Sequence, residues 1–189
     1  MTDWADIESA LEAGGVVLLP TETVYGLAAR VDRPDAIAKI YAIKGRDFDK
    51  PLAVCIRDIT QAKTLAHFDD ASEQLAAKYW PGSLTLILEA RTTLDPRITS
   101  DRQKPQTVAL RCPDIDWRNY MDVPLALTSA NRSGEADCVN YDEAIDELGD
   151  EITASLSTDE MLSGAPSTII RSECGKLTVL RQGALEVSL

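Results

Sequence analysis

A single histidine, His67, stands among 189 residues. A multi-histidine zinc site therefore lacks ligands, and a Ser-His-Asp engine would have to be built around that one residue. His67 lies in KTLAHFDD, helical spacing followed by an acidic turn, which points to a surface position at a helix end. Cysteine is also sparse: Cys55, Cys112, Cys138 and Cys174 contain no Cys-x-x-Cys pair, so their spacing is neither a metal knuckle nor a redox motif. Neither G-x-x-x-x-G-K-[ST] nor G-x-G-x-x-G occurs, so the phosphates of any bound nucleotide must be held by side-chain cations and not by a glycine-rich cradle. No apolar run approaches the roughly 18 residues of a membrane span, and the opening MTDWADIESA has acids where a secretory signal has a basic region. A cytoplasmic protein with reduced thiols is expected.

Basic residues are outnumbered as well. Lys and Arg total 19 against 31 Asp and Glu, a formal net charge of −12. Acidity on this scale opposes any mechanism in which the whole surface grips a polyanion, because nucleic-acid affinity rests on cations neutralising phosphates. The charge is segregated, however. Residues 1–29 hold five acids and no base, residues 133–170 ten acids and no base, while residues 30–57 hold seven bases against four acids. A cationic pocket can persist inside such an acidic protein.

What is present reads as one soluble α/β domain over residues 1–189. The composition is 44% hydrophobic and 26% charged, with no repeat, linker or low-complexity tract, and a chain of this length buries roughly 70% of its unfolded surface. Helical spacing is expected over 2–13, 34–43 and 141–148, with two helical pieces between 59 and 79 broken around 68–71. Strands are expected over 16–19, 51–56, 84–88, 108–111, 125–128, 167–171 and 177–180. The last two are joined by a hairpin-length turn, so the sheet should be mixed.

Polar clusters fall where these strands end. Pro20-Thr21-Glu22-Thr23-Val24-Tyr25-Gly26 follows the first strand, a place where open α/β sheets receive ligands, though Thr and Glu could equally satisfy a turn. Lys44-Gly45-Arg46 and Lys50 suit a polyphosphate, with Lys as point charge and Arg as planar fork; capping of a helix end by cations is the plainer alternative. Thr128-Ser129-Ala130-Asn131-Arg132-Ser133-Gly134 offers short donors at consecutive positions, as plain loops also do. Arg111, Ser167 and Arg181 each stand singly at strand ends.

In order along residues 14–185, the blocks GGVVLLPTETVYGLAA, IYAIKGRDFDKPLAV, WPGSLTLIL, VALRCP, LTSANRSG, PSTII and LRQGAL closely resemble the YrdC/TsaC family of threonylcarbamoyl-AMP synthases. The match runs nearly the whole chain and stops where the short, single-domain members stop. It implies a YrdC-like fold, a twisted mixed parallel and antiparallel sheet flanked by helices with a positively charged concave site. It also implies a nucleotidyltransferase that makes threonylcarbamoyl-adenylate and pyrophosphate from L-threonine, bicarbonate and ATP. The product would pass to the enzymes that build threonylcarbamoyladenosine in tRNA, with direct tRNA binding weak or absent and no membrane involved.

By matching motif positions, the resemblance assigns Thr21, Arg111 and Ser167 to threonine. It assigns Lys44, Arg46, Lys50, Thr107, Ser129, Asn131 and Arg181 to ATP, with Lys44 and Arg46 as the catalytic cations. Magnesium is expected to arrive with ATP, without a protein cage. Many relatives carry proline where Asp47, Ser83 and Gln182 stand here, and some carry histidine in place of Cys55. An RNA-binding or ribosome-maturation factor using the same cationic concavity is the alternative reading, and a carbamoyl-adenylate former or a nucleotide-binding paralogue that has lost threonine is a third.

Overall fold

The computed structural model describes residues 3–100 and 105–187. Its elements run α1 (Trp4–Glu12), β1 (Val17–Pro20), β2 (Tyr25–Arg30), α2 (Pro34–Lys44), β3 (Ala53–Cys55), α3 (Ile59–Leu65), α4 (Asp70–Tyr79), β4 (Leu84–Glu89), β5 (Thr99–Ser100), β6 (Thr107–Arg111), β7 (Leu125–Ser129), α5 (Tyr141–Leu148), β8 (Ala154–Ser155), β9 (Thr168–Glu173) and β10 (Lys176–Arg181). Short 3₁₀ turns at Asp116–Tyr120 and Gly149–Glu151 complete the list.

Local chemistry explains the boundaries. The Asp3 carboxylate accepts from the Asp6 amide in a reciprocal capping box that starts α1, and Asp69 does the same for α4 through Ser72. Pro34 occupies the first turn of α2, and Gly45 ends that helix at φ +58°, a left-handed conformation costly for a residue with a Cβ. Cys174 and Gly175, at φ +51° and +78°, close the β9–β10 hairpin as two left-handed residues, the pair that matches strand twist. The expected first helix began at Thr2, which lies outside the described residues.

Among the described residues ten strands form one mixed sheet in the order β10-β9-β4-β6-β3-β7-β2-β1-β8, with β5 beside β6. The pairs β1–β8, β3–β6 and β4–β9 are parallel and the others antiparallel. Three of these strands, β2, β5 and β8, were not expected from the sequence. Strand β2 reads YGLAAR and is buried on both faces at its first five positions, so it shows no alternation; β5 and β8 are two residues each.

The two faces are covered unequally, and this positions the site. Alternate residues Leu84, Leu86 and Leu88 of β4 and Val108 and Leu110 of β6 join one core with Ile37, Ile40, Leu65, Leu75 and Leu148 from α2 to α5. Each such large side chain, fully buried, contributes about 1.5–3 kcal/mol. On the opposite face a smaller core gathers Ile7 and Leu11 of α1, Val17, Leu19, Trp117 and Met121. It covers only one part of that face. Over β4, β6 and β9 the remaining side chains, Thr85, Ile87, Thr107, Ala109, Arg111, Ile169 and Arg171, border a hollow. Among the described residues no helix is long and apolar enough to cross a membrane.

Candidate active site

The hollow has a volume of about 480 Å³ and lies on the face that α2 to α5 leave uncovered. That is within the usual range of small-molecule sites. Strands β3, β4, β6 and β9 supply its floor, and the segments after β1, α2 and β7 supply its rim. Its lining includes four arginines, Arg46, Arg111, Arg171 and Arg181, against two aspartates, Asp49 and Asp137. Seven of the ten residues assigned from the sequence meet here: Thr21, Arg46, Thr107, Arg111, Ser129, Ser167 and Arg181.

At the inner end, Arg111 is 6% exposed at the carboxyl end of β6, between Thr85 of β4 and Cys55 of β3. Its Nη2 donates to Thr23 Oγ1 at 2.9 Å and to Glu22 Oε1 at 2.8 Å. A relay of hydroxyls continues from there. Thr21 donates to Val24 O at 2.7 Å, so the 2.8 Å contact between Thr21 and Thr23 must carry the Thr23 proton. The amides of Thr23 and Val24 both return to Thr21 Oγ1 at 3.2 Å. The turn reading of PTETVYG is what the hydrogen bonds show, and the hydroxyls that close the turn also fix the Arg111 guanidinium at the cavity. Ser83, at a position where many relatives have proline, donates to Glu22 Oε1 at 3.2 Å and so adds a polar support to this carboxylate.

Ser167 and Arg181 meet on the neighbouring wall. Arg181 Nε and Nη2 donate to Ser167 O at 3.0 and 2.8 Å, and Nη2 reaches Ser167 Oγ at 3.2 Å. Ser167 Oγ shares a 2.8 Å hydrogen bond with Thr85. Burial, then Asp137 and Arg111 in opposite senses, leaves the Arg181 pKa below the ordinary guanidinium value. Arg46 is steadied by carbonyls, its Nε donating to Lys50 O at 3.0 Å and its Nη2 to Pro51 O at 3.4 Å. Asp47 turns to Lys50, with Nζ 3.6 Å from its carboxylate.

Three assigned residues stand off the cavity wall. The Lys50 side chain is more than half exposed beside Asp47. Lys44, 3% exposed, and Asn131, 5% exposed, lie behind the wall and bind each other. Burial first, and Arg46 second, pull the Lys44 ammonium down to about 8.

Cys55 borders the cavity fully buried, and burial pushes its thiol up to about 12, so it is a neutral apolar presence there. Glu22, Thr23, Thr85, Asp137 and Arg171 were not singled out as site residues by sequence reasoning. The first two lie within PTETVYG and Thr85 within WPGSLTLIL; Asp137 and Arg171 carry no local signal and are brought in by the loop after β7 and by the register of β9.

An open mixed sheet with an arginine- and hydroxyl-lined hollow lying over its less covered face defines an α/β protein with a small-molecule-sized cavity on the face of its sheet. A family model for Sua5, YciO and YrdC, described as "Telomere recombination", matches residues 9–183, and the chain belongs to that family. A Methanocaldococcus jannaschii relative is 31% identical over 175 residues, covering 92% of this chain and 82% of its own. The threonylcarbamoyl-AMP synthase of Bacillus subtilis is 34% identical over 187 residues, covering 96% of this chain; the match spans 53%, about half, of that longer protein. Among solved structures, Pyrococcus abyssi Sua5 complexed with L-threonine superposes with a TM-score of 0.88 at 31% identity, over 98% of this chain and 56% of that one. Escherichia coli YciO shares the fold, with a TM-score of 0.84 at 21% identity.

Proposed function

We propose that this domain is a threonylcarbamoyl-AMP synthase, condensing L-threonine, bicarbonate and ATP to threonylcarbamoyl-adenylate, pyrophosphate and water. The observation that carries the reading is the convergence of two residue sets on one cavity. Thr21, Arg111 and Ser167, the threonine set, line the same hollow as Arg46, Thr107, Ser129 and Arg181 of the ATP set. The two sets touch where Arg181 binds Ser167. The names of the Bacillus and Pyrococcus relatives, and the threonine complex of the latter, support the same reading.

The chemistry asks for positioning more than for a nucleophilic side chain. Threonine's amine adds to carbon dioxide derived from bicarbonate; a carbamate oxygen then attacks the α-phosphorus of ATP as its bond to pyrophosphate breaks. Carbamate and triphosphate repel each other in water, and holding them in line contributes about 7–11 kcal/mol at best. Arg111 offers its fork to the threonine carboxylate, with Glu22 and Thr23 fixing the plane of that fork. Arg46 and Arg181 stabilise charge on the departing pyrophosphate. Magnesium would come with the nucleotide. The wall offers that ion two carboxylates, Asp49 and Asp137, which suits one held mainly by phosphate oxygens and water.

We place the reaction in the cytoplasm, upstream of enzymes that transfer the threonylcarbamoyl group to tRNA. The test is incubation with ATP, labelled bicarbonate and each amino acid in turn. Threonine-dependent pyrophosphate with label in an adenylate is expected; equal release with every amino acid would overturn the assignment.

A further inference from the structure

The Lys44 ammonium has three N–H donors and no acceptor. All three are spent within the protein: on Ser129 O at 2.5 Å, Asn131 O at 2.6 Å and Asn131 Oδ1 at 2.8 Å. The carboxamide of Asn131 is equally committed. Its Oδ1 also accepts from the Ser129 hydroxyl at 2.7 Å, and its Nδ2 donates to Glu135 O at 2.7 Å. Two more bonds fasten the same loop to the end of α2, from Ser133 N to Lys44 O at 2.8 Å and from Arg132 Nη1 to Ile43 O. An ammonium placed this way could reach a phosphate only by abandoning buried carbonyl oxygens, each of which would then lose its partner. Arg46 and Ser129, by contrast, are on the cavity wall.

We propose that Lys44 and Asn131 form an internal clamp, in which Lys44 is a positioning residue that ties the 129–135 loop to the end of α2 and makes no contact with the nucleotide. The Lys-x-Arg and Ser-x-Asn pairs then divide their labour by alternation. The inward members, Lys44 and Asn131, hold each other; Arg46 lines the cavity, and Ser129 lines it while its carbonyl accepts from Lys44 and its hydroxyl donates to Asn131. The clamp deepens the proposed ATP site and rests on that reading for its functional consequence, but it exists without ligand and is testable there.

Hydrogen exchange in the ligand-free full chain gives the decisive measurement. The amides of Asn131, Ser133 and Glu135 are bonded to Ser129 O, Lys44 O and Arg132 O, and in Lys44→Met they should exchange about tenfold faster or more, through local opening of the loop. Arg46→Ala should leave them at the wild-type rate. In turnover, Lys44→Met should raise KM for ATP while KM for threonine stays within about twofold, and Lys44→Gln, which keeps two N–H donors, should recover part of both effects. If Lys44→Met does not fold, Lys44→Gln against wild type makes the same comparison. Wild-type exchange at these amides in a folded Lys44 variant would overturn the clamp, and combined with weakened ATP it would identify a direct phosphate ligand. Absence of threonine-dependent pyrophosphate from the wild type would defeat the functional reading, while the exchange data would still decide the clamp.

Discussion

The two cations expected to act on phosphate, Lys44 and Arg46, are separated in the sequence only by a glycine, and that glycine decides their fates. Gly45 at φ +58° turns the chain so that Lys44 stays with the buried stripe of α2 and Arg46 emerges on the cavity wall. Arg46→Ala should lower turnover at least about tenfold with the thermal midpoint little changed, because its charge acts chiefly on the departing pyrophosphate; pyrophosphate release at the wild-type rate would remove it from the site. For Arg111 the informative variant is Arg111→Lys, since alanine would leave the Glu22 carboxylate without its cation. Loss of the fork should raise KM for threonine about tenfold and leave that for ATP within about twofold; equal losses would take Arg111 out of the threonine pocket. A pH experiment isolates Lys44, which faces Arg46 beyond the end of its own helix, Asp137 and Cys138 of the loop after β7, and Glu147 of α5. Burial holds the Cys138 thiol up at about 11, so it is silent near pH 8. The folded Lys44 releases its proton near 8, against 10.5 for the ordinary side chain. Between those values the unfolded chain binds more protons, so this group makes the fold more stable as pH rises, even as the clamp loses one N–H donor. ATP affinity should therefore fall as pH passes through about 8 without a matching loss of stability, and Lys44→Gln should lack that step. Seven of the hydroxyls and cations that gather were legible from strand and helix ends rich in Thr, Ser and Arg, while Thr85 and Arg171 come in by strand register. Which of them turn inward was not, because that depends on hydrogen bonds spanning more than eighty residues, from Lys44 to Asn131 and from Arg111 to Thr23.

Among the elements, expectation held where periodicity was long or punctuation strong. The break between α3 and α4, the Pro34 start of α2 and the span of α5 all follow from local residues. Strand β2 escaped because burial on both faces erases alternation and because its polar preface resembles a loop; only its pairing with β1 and β7 makes it a strand. A second tertiary constraint lies at the far edge of the sheet, just after β10. A Cβ on Gly183 would fall 2.0 Å from Pro166 O and 2.6 Å from Ser167 C and O, backbone atoms that cannot rotate aside. The Gly183 amide meanwhile donates to Thr168 Oγ1 at 2.9 Å, which holds the two segments at this separation. Gly183→Ala must therefore push the 166–167 backbone away from Arg181. It should cost about 1–3 kcal/mol in denaturant unfolding, the usual toll of forcing atoms into a packed contact. Activity at temperatures where the variant stays folded should drop as well, since Ser167 and Arg181 share that backbone. Unchanged stability would mean that the close approach is not held in solution.

At the scale of the whole molecule, a net charge of −12 surrounds a hollow lined by four arginines and two aspartates. Such a surface repels a long polyanion at almost every point of approach, yet a short one that fits the hollow meets only the local field. The two ligand classes therefore separate in one experiment. Inorganic triphosphate present at about a hundred times its Kd should stabilise the fold by about 2.7 kcal/mol, a rise in thermal midpoint of about 5–10 °C for a chain of this size. In Arg46→Ala/Arg181→Ala the rise should vanish, because the cations that distinguish triphosphate from bulk anion are gone. Transfer RNA at physiological salt should give neither a thermal shift nor a retarded band in a gel. A retarded band abolished by the same two substitutions would reverse the assignment: the arginines would then serve a nucleic-acid backbone, and the fold would be acting as an RNA-binding factor despite its acidity. A triphosphate shift that survives both substitutions would instead place the anion outside the hollow and detach the proposed chemistry from the cavity.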